Sequence, residues 1–244
     1  MSVDKSFTKD NLENYLKELA KEFKKLNGKS TPAEIILIGG ASVLLNYGFR
    51  EMTYDMDAII RASSSMKDAI NHVGDKYGLP NGWLNTDFVK TASYTPKLVQ
   101  YSKYYKTFAK VLEIRTVSAE YLIAMKLMAG RKYKNDLSDI IGILAEQQGL
   151  NKPIDLECIQ RAVCNLYDSY DSLPEASRTF IESAFQIEDL KAFYEKCRMD
   201  EKENKSILVE FQEDYPGVTN QDNIEEILKS IKEKKQKQII DSES

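Results

Sequence analysis

Histidine is almost absent from this chain: among 244 residues there is one, His72. Cysteine is scarce as well, and Cys158, Cys164 and Cys197 are odd in number and form no CxxC. That shortage argues against a structural zinc or disulfide framework and fits a reducing compartment. It also leaves a Ser/His or Cys/His catalytic pair with little material. His72 sits in the mostly polar stretch SMKDAINHVGDKYG and reads as a helix-surface residue. No apolar run approaches the length needed to cross a bilayer. The opening MSVDKSFTKDNLENYL has no apolar signal core. The expectation is a cytoplasmic protein without membrane contact.

A charge field of one sign is missing too. The formal net charge is −4, so any contact with nucleic acid has to come from a local patch. Hydrophobic residues at 42% and charged residues at 30% are the balance of an ordinary soluble globular protein. What remains for chemistry is carboxylates, lysines and metal.

The periodicities divide the chain. Leu12, Leu16, Leu19, Phe23 and Leu26 recur at helical spacing over 8–26, and Asn27-Gly28 stops the helix. EIILI (34–38) is a short apolar run that predicts a buried strand, interrupted by Gly39-Gly40. A short helix follows over 41–47, a second strand over 56–60, and a helix over 65–77. LPNGWLN (79–85) is turn-rich. KVLEIRTV (110–117) alternates as a strand does. Ser118 caps a helix running to about Gly130, and another spans about Asp136 to Gln148. From Asp155 onward the pattern is helical almost throughout, ending in a solvated or frayed tail. The expected fold class is α+β: a mixed sheet flanked by helices, then an all-helical C-terminal region. The expected domains are 1–150 and 151–244.

Two constellations bear on chemistry. The first is strand, Gly39-Gly40, helix: glycines admit close backbone approach, and a helix N-terminus offers free N–H groups and a positive dipole end to an anion. Ser42 adds a hydroxyl in the first turn. The same turn serves equally as plain strand–helix punctuation. The second is Asp55-Met56-Asp57 leading into AII. Residues i and i+2 of a strand share a face, so two carboxylates converge on one hard cation such as Mg²⁺.

Downstream, Lys126 is the only charged residue of YLIAMKLMA (121–129). A helix apolar all round is buried, so this ammonium needs a carboxylate or phosphate partner. Asp136 and Asp139 supply possible partners, and are also ordinary first-turn acids. Arg131, Lys132 and Lys134 cluster between them. In YSKYYKTFAK (101–110) tyrosines interleave with lysines, as a nucleobase platform or, more simply, as a surface strand.

The order Gly39, Gly40, Ser42, then Asp55 and Asp57, resembles the nucleotidyltransferase superfamily typified by DNA polymerase beta. AMKLMAGRKYKNDLSDI, with Lys126, Ala129, Arg131, Asp136 and Asp139, is similar to a block of abortive-infection nucleotidyltransferase toxins and related bacterial proteins. The two blocks span about residues 34–140. The resemblance implies Mg²⁺-dependent transfer of a nucleotidyl group from an NTP. It places Asp55 and Asp57 on the metal. It puts Gly39, Gly40, Ser42, Lys126, Arg131 and Asp136 around the nucleotide, and Asp139 in the active site. It also implies a third carboxylate on a later strand, for which Glu113 is the best-placed residue. Ala41 departs from the toxins, which carry a hydroxyl residue directly after the glycines.

By the same analogy the acceptor is tRNA, a protein hydroxyl or a small molecule, with the protein acting as a toxin-antitoxin or phage-defence component. The rivals are an antitoxin facing a cognate toxin and a nucleotide-binding partner without catalysis.

Overall fold

The computed structural model describes residues 6–28, 31–220 and 223–242. The extreme start of the chain and its last two residues lie outside that range, as do the corresponding parts of the signal-core and frayed-tail expectations. In chain order the elements are helix α1 (Lys9–Asn27), strand β1 (Ala33–Leu37), α2 (Gly39–Asn46), β2 (Ala58–Arg61) and α3 (Ser65–Tyr77). Then come β3 (Ser102–Phe108), β4 (Leu112–Val117), α4 (Ala119–Ala129) and α5 (Asp136–Gly149). The rest is helical: α6 (Leu156–Tyr167), α7 (Glu175–Ala184), α8 (Leu190–Asp214) and α9 (Ile224–Ser242). The molecule is α+β, as the periodicities require.

The four strands lie in the order β2-β1-β4-β3. β1 runs parallel to β4 and antiparallel to β2, and β3 is an antiparallel edge strand beside β4. Side chains alternate across the sheet, so successive residues of β1 enter different cores. Ile35 and Leu37, with Leu112 and Ile114, join α1 and α3. Ile36 and Ile38, with Val117, join α4, α5 and α6. This second apolar cluster runs from Ile36 to Cys197 without a break at residue 150. α4 packs between sheet and C-terminal helices, which is why it is apolar on every side.

Three boundaries differ from the periodicity. β2 starts at Ala58, not 56, because Met56 and Asp57 are engaged by Asn85: its N–H bonds the Met56 carbonyl at 3.0 Å, and its carbonyl accepts the Ala58 N–H at 2.9 Å. β4 starts at Leu112 because Ala109 and Lys110 form a left-handed turn, with φ of 48° and 62°. α8 continues well beyond EDLKAFYEKC, to Asp214. The Tyr/Lys stretch at 101–110 is chiefly the edge strand β3, with Tyr104 at 60% exposure. Among the described residues, no helix is long and apolar enough to cross a membrane.

Candidate active site

The β1–β2 pairing brings the two motifs together. Because the strands are antiparallel, the end of β1 lies beside the start of β2, and the Ile38 N–H bonds the Asp57 carbonyl at 3.0 Å. Gly39-Gly40 and Asp55–Asp57 are therefore neighbours across a strand pair. They line one cleft of about 300 Å³.

α2 starts at Gly39, not at residue 41, so both glycines form its first turn. Gly39 sits at φ 53°, in the left-handed region, and a Cβ there would approach Asp57 Oδ2 at 3.8 Å. A Cβ on Gly40 would lie 2.5 Å from Thr53 Oγ1 and 3.0 Å from Arg50 Nη2. The bare backbone at Gly40 is thus a packing requirement of the site.

Asp57 is partly buried and Asp55 exposed. Burial, then the neighbouring Asp55 charge, raise Asp57 above the ordinary carboxylate range, and the nearby cations Lys134 and Arg131 do not cancel that. Lys134 Nζ stands 4.0 Å from Asp55 Oδ2. Asp87 also lines the cleft and adds to the negative potential at Asp57. It is held near by the Asn85 bridge to Asp57.

The far wall is a buried ion network. Lys126 Nζ lies 2.7 Å from Asp139 Oδ2 and 3.2 Å from Asp136 Oδ1. Arg131 Nε reaches Asp136 Oδ2 at 2.7 Å, and Arg50 bonds Asp139. Lys126, Asp136 and Asp139 are each under 10% exposed. Burial opposes ionisation of Asp136, but Lys126 and Arg131 outweigh it and hold the carboxyl down at about 2. Three cations against two carboxylates leave one net positive charge facing Asp57. Glu201 of α8 supports this wall from behind, accepting the N–H groups of Leu137 and Ser138 at 2.8 and 3.2 Å.

Of the residues singled out in the sequence, Gly39, Gly40, Asp55, Asp57, Lys126, Arg131, Asp136 and Asp139 share the cleft. Two do not. Ser42 is fully buried, and its hydroxyl accepts the Val117 N–H at 3.1 Å, tying α2 to β4 instead of facing a phosphate. Glu113 lies near the start of β4, ion-paired to Arg115 at 2.7 Å and in register with Glu34, at the opposite end of the strands from the cleft. Asp87, and not Glu113, is a carboxylate of the cleft beside Asp57. Arg50, Thr53, Asp87, Lys134 and Glu201 were missed as site residues. Asp87 follows the turn signal LPNGWLN but carries no periodic cue, and Arg50 sits in a loop whose partner is distant in sequence.

Residues 14–200 match the model of a family described as nucleotidyltransferase of unknown function (DUF6036). No curated protein and no solved structure gives a match.

Proposed function

This chain belongs to that nucleotidyltransferase family, and from that premise we propose that its cleft moves a nucleotidyl group from an NTP to a hydroxyl acceptor. The observation that carries the reading is the juxtaposition of Asp55 and Asp57 with the Gly39-Gly40 turn, opposite a buried wall with one surplus positive charge.

Mg²⁺ fits the donor set. Asp57 is raised by burial and by Asp55, so the pair carries negative charge that a hard, oxygen-seeking cation relieves. Among the described residues no group of three carboxylate, histidine or cysteine side chains gathers for a metal, so an ion held by Asp55 and Asp57 would need further oxygens from its substrate, as Mg²⁺ commonly does. Asp55 and Asp57 would hold the ion, whose chemistry is polarisation of phosphoryl oxygens.

The chain's own residues do the rest. Free N–H groups in the first turn of α2 meet phosphate oxygens where no side chain intervenes. Arg131 and Lys134 neutralise the triphosphate from the opposite side. Lys126 helps keep Asp136 ionised and pairs with Asp139 in a buried wall, and so fixes the position of Arg131 and Arg50. The acceptor hydroxyl bonds the α-phosphorus through its oxygen and gives up its proton to solvent, the bond from the α-phosphorus to the bridging oxygen breaks, and pyrophosphate leaves with that oxygen. Asp87, on the same side of the cleft, adds negative charge beside Asp57.

The acceptor class we take from the likeness to abortive-infection toxins: tRNA or a protein hydroxyl, in a toxin-antitoxin or phage-defence setting. The experiment is to incubate the full chain with each labelled NTP, Mg²⁺, and bacterial RNA and protein, beside Asp55→Ala/Asp57→Ala. Label transferred by the wild type and not by the double variant supports the enzyme, and the labelled band names its acceptor. No transfer and no Mg²⁺-dependent NTP binding would leave a binding or antitoxin role on the same fold.

A further inference from the structure

Beside the catalytic cleft lies a second cavity, of about 570 Å³, between the 49–54 loop and one face of α8. Arg50, Asn135 and Asp139 line both cavities, so the two share a wall. The second differs in chemistry. Tyr54, Tyr133 and Tyr194 contribute rings, and Met52 and Met199 add soft apolar surface. Met52, Tyr54 and Met199 are 40%, 52% and 71% exposed, an apolar cluster left open to solvent.

The cations come from α8. Tyr194, Arg198, Lys202 and Lys205 recur at helical spacing and present one face to the cavity. Arg198 lies over the Tyr194 ring and Lys205 over the Tyr54 ring, each at 5.6 Å from the centroid. Four carboxylates also line the space. Asp139 is already matched by Lys126 and Arg50, and Glu201 is engaged by the first turn of α5. Arg198, Lys202 and Lys205 share the cavity with Glu51 and Glu195, and among the described residues none of the three forms an ion pair.

Exposed aromatic rings beside cations that form no ion pair are what an unpaired nucleotide requires: a π-surface for the base and a cation for its phosphate. We infer that this cavity binds an unpaired nucleotide, its base against Tyr54 or Tyr194 and its phosphate against Arg198, Lys202 and Lys205. The inference rests on the first cavity being an NTP site. The nucleotide has two sources, the nucleoside end of the bound NTP or the terminal nucleotide of a single-stranded RNA acceptor. The shared wall admits either.

The test uses the full chain, wild type and two variants, Arg198→Ala/Lys205→Ala and Tyr54→Leu. It measures binding of fluorescein-labelled oligoadenylate RNA by anisotropy, and of ATP and inorganic tripolyphosphate, each with Mg²⁺, by calorimetry. All three substituted side chains are on the cavity surface, and unchanged melting curves serve as the folding control.

If the RNA end occupies the cavity, its Kd rises about tenfold in both variants and ATP binding is unchanged. The salt slope also falls by about 1.4 in the double variant, for two lost phosphate contacts. If the NTP occupies it, ATP weakens about tenfold in both variants while tripolyphosphate, which has no base, does not. Wild-type affinity for RNA and ATP in both variants overturns the inference. The catalytic reading then still stands, provided that tripolyphosphate binds the wild type and is lost in Asp57→Ala. No binding of any of the three ligands to the wild type overturns both.

Discussion

Glu201 accepts the Ser138 hydroxyl at 2.5 Å, joining a helix of the C-terminal region to the first turn of α5. The same carboxylate takes the N–H groups of Leu137 and Ser138, which a helix start otherwise leaves without partners. That turn carries Asp136 and Asp139, the two carboxylates around Lys126. The wall of the cleft is therefore positioned by a residue more than sixty positions downstream.

Stability should fall with pH on account of Glu201. Burial, against the pull of its hydrogen bonds, raises this carboxyl from its ordinary 4.5 to about 7. Between those values the folded chain holds a proton that the unfolded chain has released, so stability declines as pH rises through the window and is level above it. Glu201→Gln retains an oxygen for the two N–H groups and an amide donor for Ser138. Urea midpoints from pH 5 to pH 7 should drop in the wild type and stay flatter in the variant; parallel curves would rule the idea out.

Carboxylate identity is separable by kinetics. Asp57→Asn should lower nucleotidyl transfer by about 10²-fold or more, since it removes a ligand for the metal charge. Asp87→Asn should lower it by about tenfold. Glu113→Gln, whose partner is Arg115 and which lies at the far end of the strands from the cleft, should leave the rate near wild type. A Glu113 variant as impaired as the Asp57 variant would restore the sequence-based assignment.

Lys126→Met should cost about 3 kcal/mol of stability, because it strips the central cation from two buried carboxylates. The loss is at the lower end of the range for broken buried pairs, since Arg131 and Arg50 still accompany Asp136 and Asp139. Urea unfolding with an unchanged m-value reads it directly.

Gly40→Ala should weaken ATP binding about tenfold, the new methyl displacing Thr53 and Arg50 from the cleft. Gly48→Ala is the control, because its Cβ meets nothing closer than Glu146 Oε2 at 3.8 Å. Calorimetry on the two variants separates a local steric effect from a general glycine effect.

Much of the architecture was legible because it is periodic. The apolar spacing of Leu12 to Phe23 and the run EIILI each report a buried face, and the structure places an element at both. The all-round apolar α4 reported its own burial, and Lys126 within it announced a buried partner. Ser42 misled because a hydroxyl in a first helical turn serves a phosphate or a backbone N–H equally well, and here the Val117 N–H claims it. That Glu113 lies outside the cleft was not legible, because alternation tells which face a side chain takes, not how far along its neighbours the strand is set: Glu113 is in register with Glu34, and the cleft opens past the other end of β1.

The residues by themselves determined which side chains are chemically able to act: two aspartates in DxD spacing, two bare glycines, one lysine in an apolar helix, and almost no imidazole or thiol. Local spacing sets those because helix and strand periods are properties of a few consecutive residues. Tertiary structure alone decided who meets whom. The antiparallel β1–β2 pair sets Gly39 beside Asp57, Asn85 brings Asp87 to them, Arg50 reaches Asp139, and Glu201 closes α5. Those meetings depend on strand order and helix packing over tens of residues, where sequence spacing holds no geometric information.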